Sequence, residues 1–471
     1  MTGWYLSLLL HALMNSKTRK ERLVVIGGCA AGMSAASKAK RLRPGMEVIA
    51  LEKSPHVSYS ACGIPYFVSD LVRDADELVS VTPEEFRTRR GIDVRVMHEV
   101  GAIAPGKRQV TAVDVRGGAE ICLAYDQLLI SVGGCPRIPA DAGLSGSNVF
   151  SIQTLQDGIA IKGFIDTHQP KRAVIIGAGY IGMEMAEACR TRGLETAVIE
   201  QKDQILGGFE AEVSKKVLSE LARQQVFVHT GATVTQTHTE AARVTSLTLT
   251  NGETLSCCLV LVCAGVTPNT ALAKMAGVRL GSTGAIAVDW KMRTCANNIY
   301  AAGDCVEVKN LVSGRPDYIP LGHTANKQGR VAGENIGGGT ARFRGVVGTS
   351  VFKVFDLEVA RTGLGCAQAN RFGFDARSVT VLSGEKAAYF PRASQISTTV
   401  IFDQRSGRLL GAQMVGSAGV SKRIDVFAAA LLNKMDLEAM TALDLSYAPP
   451  FAPVWDPVLV AVNVARGKLR R

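Results

Sequence analysis

No CxxC pair occurs among the eleven cysteines of this 471-residue chain, which removes the usual spacing of a structural zinc site. The cysteines are scattered, and the one adjacent pair, Cys257-Cys258, sits between Leu and Val and reads as strand core. A disulfide scaffold is therefore excluded, and reduced thiols fit a cytoplasmic setting. No apolar run approaches the roughly 20 residues needed to span a bilayer. The apolar stretch at 4–14 is followed, not preceded, by positive charge and has no clear cleavage site, so neither a membrane span nor a secretory signal is expected. Aromatic residues make up only 6% of the chain and do not interleave with basic ones, so the net charge of +11 does not indicate nucleic-acid binding. Much of that charge lies in the tails: Lys17, Arg19, Lys20 and Arg22 at one end, Arg466, Lys468, Arg470 and Arg471 at the other. The remaining composition, 47% hydrophobic with 48 glycines, suits an α/β enzyme of two or three domains.

What is present is a repeated unit. Leu23-Val24-Val25-Ile26 runs as a short buried strand into Gly27-Gly28-Cys29-Ala30-Ala31-Gly32, then a small-residue helix over 34–42 and a strand, 48–51, that ends at Glu52. Strand, glycine turn, helix, strand and terminal acid form a dinucleotide-binding unit. Gly27 makes the tight turn, Gly32 lets helix and strand approach, and the helix start faces a pyrophosphate. Glu52, with Lys53 beside it, is placed at the adenosine ribose. The second copy is Ala173-Val174-Ile175-Ile176, then Gly177-Ala178-Gly179-Tyr180-Ile181-Gly182, a helix over 183–192 and a strand, 196–200, that ends in Glu200. A single GxGxxG is weak evidence; two complete copies imply two bound dinucleotides. Glu200 repels a 2′-phosphate and favours NADH, while Gln201 and Lys202 leave NADPH possible.

Two further segments belong with the first nucleotide. The strand 128–132 enters a turn at Gly133-Gly134, read as the crossing between domains. A strand around 299–303 ends at Asp304, whose carboxylate is placed to accept a hydroxyl from the ribityl chain of a flavin. From residue 343 the character changes to apolar strands (349–354, 358–362, 398–402, 409–415) and a helix over 421–433, an α+β domain without a nucleotide signal. The segment 445–457 is too proline-rich for helix or central strand and reads as an extended arm held by contacts, plausibly with a second subunit.

These features resemble the single-cysteine branch of the FAD-dependent pyridine nucleotide–disulfide oxidoreductases, over about residues 22–462, and most of all the coenzyme A-disulfide reductases and NAD(P)H sulfur or polysulfide reductases. The resemblance turns on Ser58-Tyr59-Ser60-Ala61-Cys62-Gly63-Ile64-Pro65-Tyr66. Classical members carry a second cysteine five positions on; here that position is Phe67. Cys62 must then cycle through a mixed disulfide, a persulfide or a sulfenic acid.

The resemblance implies an α/β chain with two Rossmann-like domains of glutathione reductase type and a C-terminal α+β dimerisation domain. The implied division is an extension at 1–20, FAD domain at 21–145 and 266–342, NAD(H) domain at 146–265, and dimerisation domain with arm at 343–471. It implies a homodimer binding FAD and NADH, with coenzyme A as substrate or bound adduct. The arm's Tyr447-Ala448-Pro449-Pro450 carries the implied catalytic Tyr447, with Tyr389 a second candidate, both supporting a partner's reactive sulfur. Ser34, Lys38, Arg41 and Ser58 fall where such enzymes hold coenzyme A, and two cations one helical turn apart can face a phosphate. The chain ends soon after the arm, so no rhodanese module is expected.

Two departures shape the functional reading. Ala61 stands where the CoA-disulfide branch often has asparagine, which brings the sulfur-reductase members equally close. Ala30 stands where NADH oxidases and peroxidases of the branch carry a histidine, which disfavours oxygen or peroxide as acceptor. The expected reaction passes electrons from NAD(P)H through FAD to Cys62, which reduces CoA disulfide, CoA persulfide or polysulfide. The rival readings are an NADH oxidase or peroxidase and a slow flavin-bound redox sensor. As the attacking group, Cys62 needs a pKa below the free value of about 8.5, and a helix start just after it is expected to help.

Overall fold

The computed structural model describes residues 20–139 and 142–469, so the expected extension at 1–20 and the last two arginines lie essentially outside the described residues. Two five-stranded parallel sheets are built alike. In the first, the strand order is Ile299–Ala301, Gln127–Ile130, Arg22–Ile26, Glu47–Glu52, Asp93–Val96. In the second it is Val226–His229, Glu195–Ile199, Arg172–Ile176, Leu259–Val262, Val149–Ser151. Every pairing within these two sheets is parallel. Both central strands are apolar and buried on both faces, as parallel strands covered by helices must be. Each sheet carries a three-stranded antiparallel appendage.

The chain crosses between the two units on Gly134–Pro136 and returns on Val266–Pro268, and these two segments pair antiparallel as one ribbon. The third unit is a five-stranded antiparallel sheet, ordered Ser350–Val354, Leu357–Gly363, Leu409–Gly416, Gln395–Asp403, Ala376–Gly384. The helices Val420–Leu432 and Pro457–Gly467 pack on it. The strand Ala376–Gly384 was not anticipated, because its residues alternate weakly and lie at the sheet edge. Among the described residues no helix is long and apolar enough to cross a membrane.

Several local expectations shift. The first helix begins at Ala30, not 34, because the glycine turn runs straight into it with Cys29 as N-cap. The second likewise begins at Tyr180. Cys257 and Cys258 lie between two strands rather than in one; Cys257 is buried by side-chain packing under the sheet appendage. Residues 445–456 are irregular, as the prolines require, but Pro457 opens a helix: its missing N–H falls in the first turn, and Asp456 caps the end through Val458 N at 2.9 Å.

The helix Gly322–Ile336 crosses the first helix, Ala30–Leu42, at backbone contact. A Cβ at Gly333 would lie 2.3 Å from the Ala35 carbonyl oxygen. Gly333→Ala gains about 1 kcal/mol of helix propensity and incurs an overpacking cost of about 1–3 kcal/mol or more. The expected outcome is a lower midpoint of thermal or urea unfolding.

Candidate active site

The site is assembled at the carboxyl ends of the strands in the two parallel sheets. In both units the terminal acid closes the glycine turn in the same way. Glu52 accepts from Gly28 N at 2.8 Å and Ser54 N at 2.8 Å. Glu200 accepts from Ala178 N at 2.9 Å and Lys202 N at 3.0 Å. Each carboxylate oxygen is thus oriented by one backbone N–H and keeps further lone pairs directed outward, the capacity a ribose diol needs. Lys53 is exposed just beyond Glu52. A Cβ at Gly32 would lie 1.9 Å from Gly27 O, and one at Gly182 2.0 Å from Gly177 O, so no other residue fits the third glycine of either turn. Gly179 caps the second helix, and Gly133 has φ +68 at the interdomain crossing.

The first unit has the features a flavin dinucleotide requires. Asp304 follows the strand Ile299–Ala301, and among the described residues nothing donates to its side-chain carboxylate; burial pushes its pKa up to about 6. Near it, Gln328 accepts from Gly303 N at 2.8 Å through its oxygen while its amide nitrogen, fully buried, has no partner. The buried Thr324 hydroxyl, on the same helix, is unpaired as well. Buried polar atoms are almost always satisfied, and these two are left unpaired by protein groups on the helix that packs beside Gly303 and Asp304.

Cys62 occupies a single 3-10 turn, Ala61–Gly63, which leads into the five-residue helix Ile64–Val68. Its side chain is exposed to the cleft. Desolvation by the surrounding walls raises its pKa, and the carboxylates of Glu184 and Asp304 add to the shift. This corrects the expectation that a following helix start lowers it: five residues make a weak dipole, and two carboxylates oppose it. Phe67, at the second-cysteine position, is 5% exposed and packs with Ile64, Leu155 and Ile161, with Lys162 Nζ 5.2 Å from its ring centre. That position is a core contact with the second unit.

Glu184 and Tyr180 were not anticipated. They lie one turn apart on the helix Tyr180–Thr191 and face Cys62 and Tyr66 across the domain boundary. Their i, i+4 spacing from the glycine turn was the available signal. Burial, followed by the neighbouring Glu187, pushes the Glu184 pKa up to about 7.

Beside the cleft, a groove of about 380 Å³ brings together all four residues expected to contact coenzyme A: Ser34, Lys38, Arg41 and Ser58. Cys29, Tyr59, Arg90, Asn326 and Arg330 are among its other lining residues. Ser58 is held at φ +50, its N–H bonded to Gly28 O at 2.9 Å, and Asn326 donates to Ser34 Oγ at 2.8 Å. The expected pair of cations is altered. Lys38 is paired with Glu334 at 3.1 Å, while Arg41 and Arg330 have no ion pair among the described residues. Arg90 donates to Ser37 and stacks over Phe86. The groove's positive charge therefore comes from three arginines on three separate helices, two of them beyond the reach of a local sequence pattern.

Tyr389 and Tyr447 do not join this cleft within one chain: neither makes a hydrogen bond or ring contact with Cys62 among the described residues. They are 77% and 50% exposed, and the arm also exposes Phe451, Val454 and Trp455.

Two dinucleotide units, a solitary thiol between them and an antiparallel C-terminal unit with an exposed apolar arm define a class of two-nucleotide oxidoreductases. Residues 21–329 match the pyridine nucleotide-disulphide oxidoreductase family and residues 349–457 match its dimerisation domain; the chain belongs to this family. It is similar to the NAD(P)H coenzyme A polysulfide/persulfide reductase of Pyrococcus horikoshii, at 38% identity over 95% of this chain and 99% of the relative. It is also similar to the coenzyme A disulfide reductase of Staphylococcus haemolyticus, at 28% identity over 92% and 96%. The structure of an NAD-dependent persulfide reductase from A. fulgidus superposes with a TM-score of 0.92, at 38% identity over 95% of this chain and 83% of that one.

The raised pKa of Glu184 has a measurable consequence. Its folded value lies above its unfolded value, so the stability tied to its protonated form is complete below about pH 4.5 and lost as pH rises through about 7. Glu184→Gln should therefore gain on the unsubstituted protein over that window, by on the order of 2 kcal/mol in unfolding free energy.

Proposed function

We propose that this protein is an NAD(P)H-dependent flavoprotein that reduces coenzyme A disulfide or coenzyme A persulfide at Cys62. The observation that carries the reading is the juxtaposition of a thiol without a resolving cysteine and a groove lined by Arg41, Arg90 and Arg330. A thiol alone fits any disulfide; the arginines select one bearing several phosphates.

The nucleotide sites take NADH on the Gly177–Gly182 turn and FAD on the Gly27–Gly32 turn, with Asp304 at the flavin's ribityl chain. Glu200 disfavours a 2′-phosphate, so NADH is the preferred donor. Bound FAD supplies hydride acceptance from NADH and electron delivery to sulfur. The chain's own residues do the rest. The cationic groove holds the nucleotide end of the substrate and aims its sulfur at Cys62. The Cys62 thiolate attacks one sulfur of the disulfide, the S–S bond breaks, and one coenzyme A leaves as thiol after taking a proton. Glu184, titrating near neutrality beside the sulfur, is suited to hold that proton. The mixed disulfide left on Cys62 accepts the next electron pair and releases the second thiol. With a persulfide as acceptor the leaving group is sulfide or coenzyme A.

The protein works as a homodimer. The exposed row of Tyr389, Tyr447, Phe451, Val454 and Trp455 is a surface a second copy would cover, and Tyr447, with Tyr389 beside it, reaches the Cys62 of that copy. Ala30, at the position of the oxidase histidine, withholds the imidazole that such enzymes place in the first glycine turn, so oxygen is a poor acceptor.

Anaerobic NADH oxidation by the FAD-loaded protein, with coenzyme A disulfide and coenzyme A persulfide offered in parallel, tests the reading. Fast turnover with either, abolished in Cys62→Ser with FAD still bound, is the expected outcome; oxygen as the sole effective acceptor would overturn it. In the same assay Arg41→Ala and Arg330→Ala should each raise KM for coenzyme A disulfide about tenfold, one charge-assisted contact each, and leave KM for the small disulfide cystine unchanged.

A further inference from the structure

We propose that Arg423 is a positioning residue that sets the two tyrosine-bearing segments in a fixed relation, so that both can engage the Cys62 of a second copy. The inference rests on the assignment of Tyr447 and Tyr389 above and concerns what holds them there.

Arg423 lies in the first turn of the helix Val420–Leu432, and its side chain is 11% exposed. Its guanidinium binds the N-cap of its own helix and three residues elsewhere, Glu385, Phe451 and Asp456. Nε donates to Asp456 Oδ2 at 2.8 Å, and one Nη donates to Gly419 O at 3.0 Å. The other Nη donates to Glu385 O at 2.8 Å and to Phe451 O at 3.1 Å. Glu385 opens the loop that carries Tyr389, Phe451 lies four residues beyond Tyr447 in the arm, and Asp456 caps the helix that follows the arm. The same loop and arm also share a backbone hydrogen bond, from Ala387 N to Pro449 O at 3.2 Å.

The arm has no regular structure of its own between residues 445 and 456, so its path depends on such ties. Only a planar fork can meet a carboxylate on one edge and two carbonyls from different segments on another. A lysine supplies the charge for Asp456 and not the fork. Loss of the fork therefore leaves the buried ion pair and frees the two carbonyls, shifting the tyrosines without removing either ring.

The test is a cycle of Arg423→Lys, Tyr447→Phe, Tyr389→Phe and the double variant R423K/Y447F. Each is assayed with NADH and coenzyme A disulfide, and with ferricyanide, which takes electrons without Cys62. Positional errors of an ångström at a reacting centre cost about ten- to a hundredfold, so R423K should lose at least tenfold in kcat with the disulfide. Its ferricyanide rate and dimer mass should stay within twofold and unchanged, and the double variant should be no slower than Y447F. If Y447F or Y389F is slow while R423K is not, or if R423K and Y447F are additive, the positioning role is overturned and the tyrosine assignment stands. A parallel fall of R423K in both assays marks a general structural role and overturns it too. If both tyrosine variants retain full turnover, the tyrosine assignment fails and the proposal falls with it.

Discussion

The short helix after Cys62 is held by a unit to which it does not belong. Ile64, Phe67 and Val68 are buried against the helix Leu155–His168 and its neighbours in the second nucleotide unit. Arg192 of that unit donates to Val68 O at 3.1 Å. A five-residue helix has no independent stability, far below the roughly 12–15 residues needed in water, so this seam is the reason the turn exists. Everything at the site follows from it. The seam fixes the thiol between the sheets, brings Glu184 and Tyr180 opposite it, and occupies with a phenyl ring the position where a resolving thiol would stand.

Charge is then sorted over a small distance. The cleft around Cys62 is acidic: Glu184 and Asp304 add to the raised pKa of the sulfur, and Glu187, itself paired with Lys353, adds to that of Glu184. The groove a few residues away is cationic. An anionic substrate is drawn to the groove, while the desolvating walls and the two carboxylates beside the sulfur hold the Cys62 pKa up. The duplicated unit supplies the frame: twin carboxylates, Glu52 and Glu200, clamp twin glycine turns by equivalent pairs of backbone N–H groups.

Within its own chain the third unit reaches the cleft only from behind its wall, among the described residues: Phe352 packs on Tyr180 with ring centres 6.1 Å apart, and Lys353 pairs with Glu187. Its sheet and two helices form a closed core, and the outward row of aromatic side chains at its edge is unusual for a surface left in water. An irregular, proline-rich segment holds a fixed path only where its backbone carbonyls are tied down, as Arg423 ties Phe451 O and Ala387 N ties Pro449 O.

Local patterns carried the two dinucleotide units, their terminal acids, the cysteine turn and the α+β character of the C-terminal part, because each is encoded within about thirty consecutive residues as period, glycine spacing and a closing acid. The four groove residues from 34 to 58 came from the family resemblance, and the groove brings them together. Asn326 and Arg330 were not legible, since they reach the groove only through the crossing of the helices Ala30–Leu42 and Gly322–Ile336, and Arg90 arrives from the end of a third helix, Pro83–Arg90. The ion pair that takes Lys38 away from any phosphate, the raised pKa values of Glu184 and Cys62, and the burial of Phe67 are likewise products of packing between distant segments. The sequence by itself determined which chemistry the chain can hold. The tertiary structure alone decided which charges face one another, because burial and Coulomb interaction depend on distance in space and not along the chain.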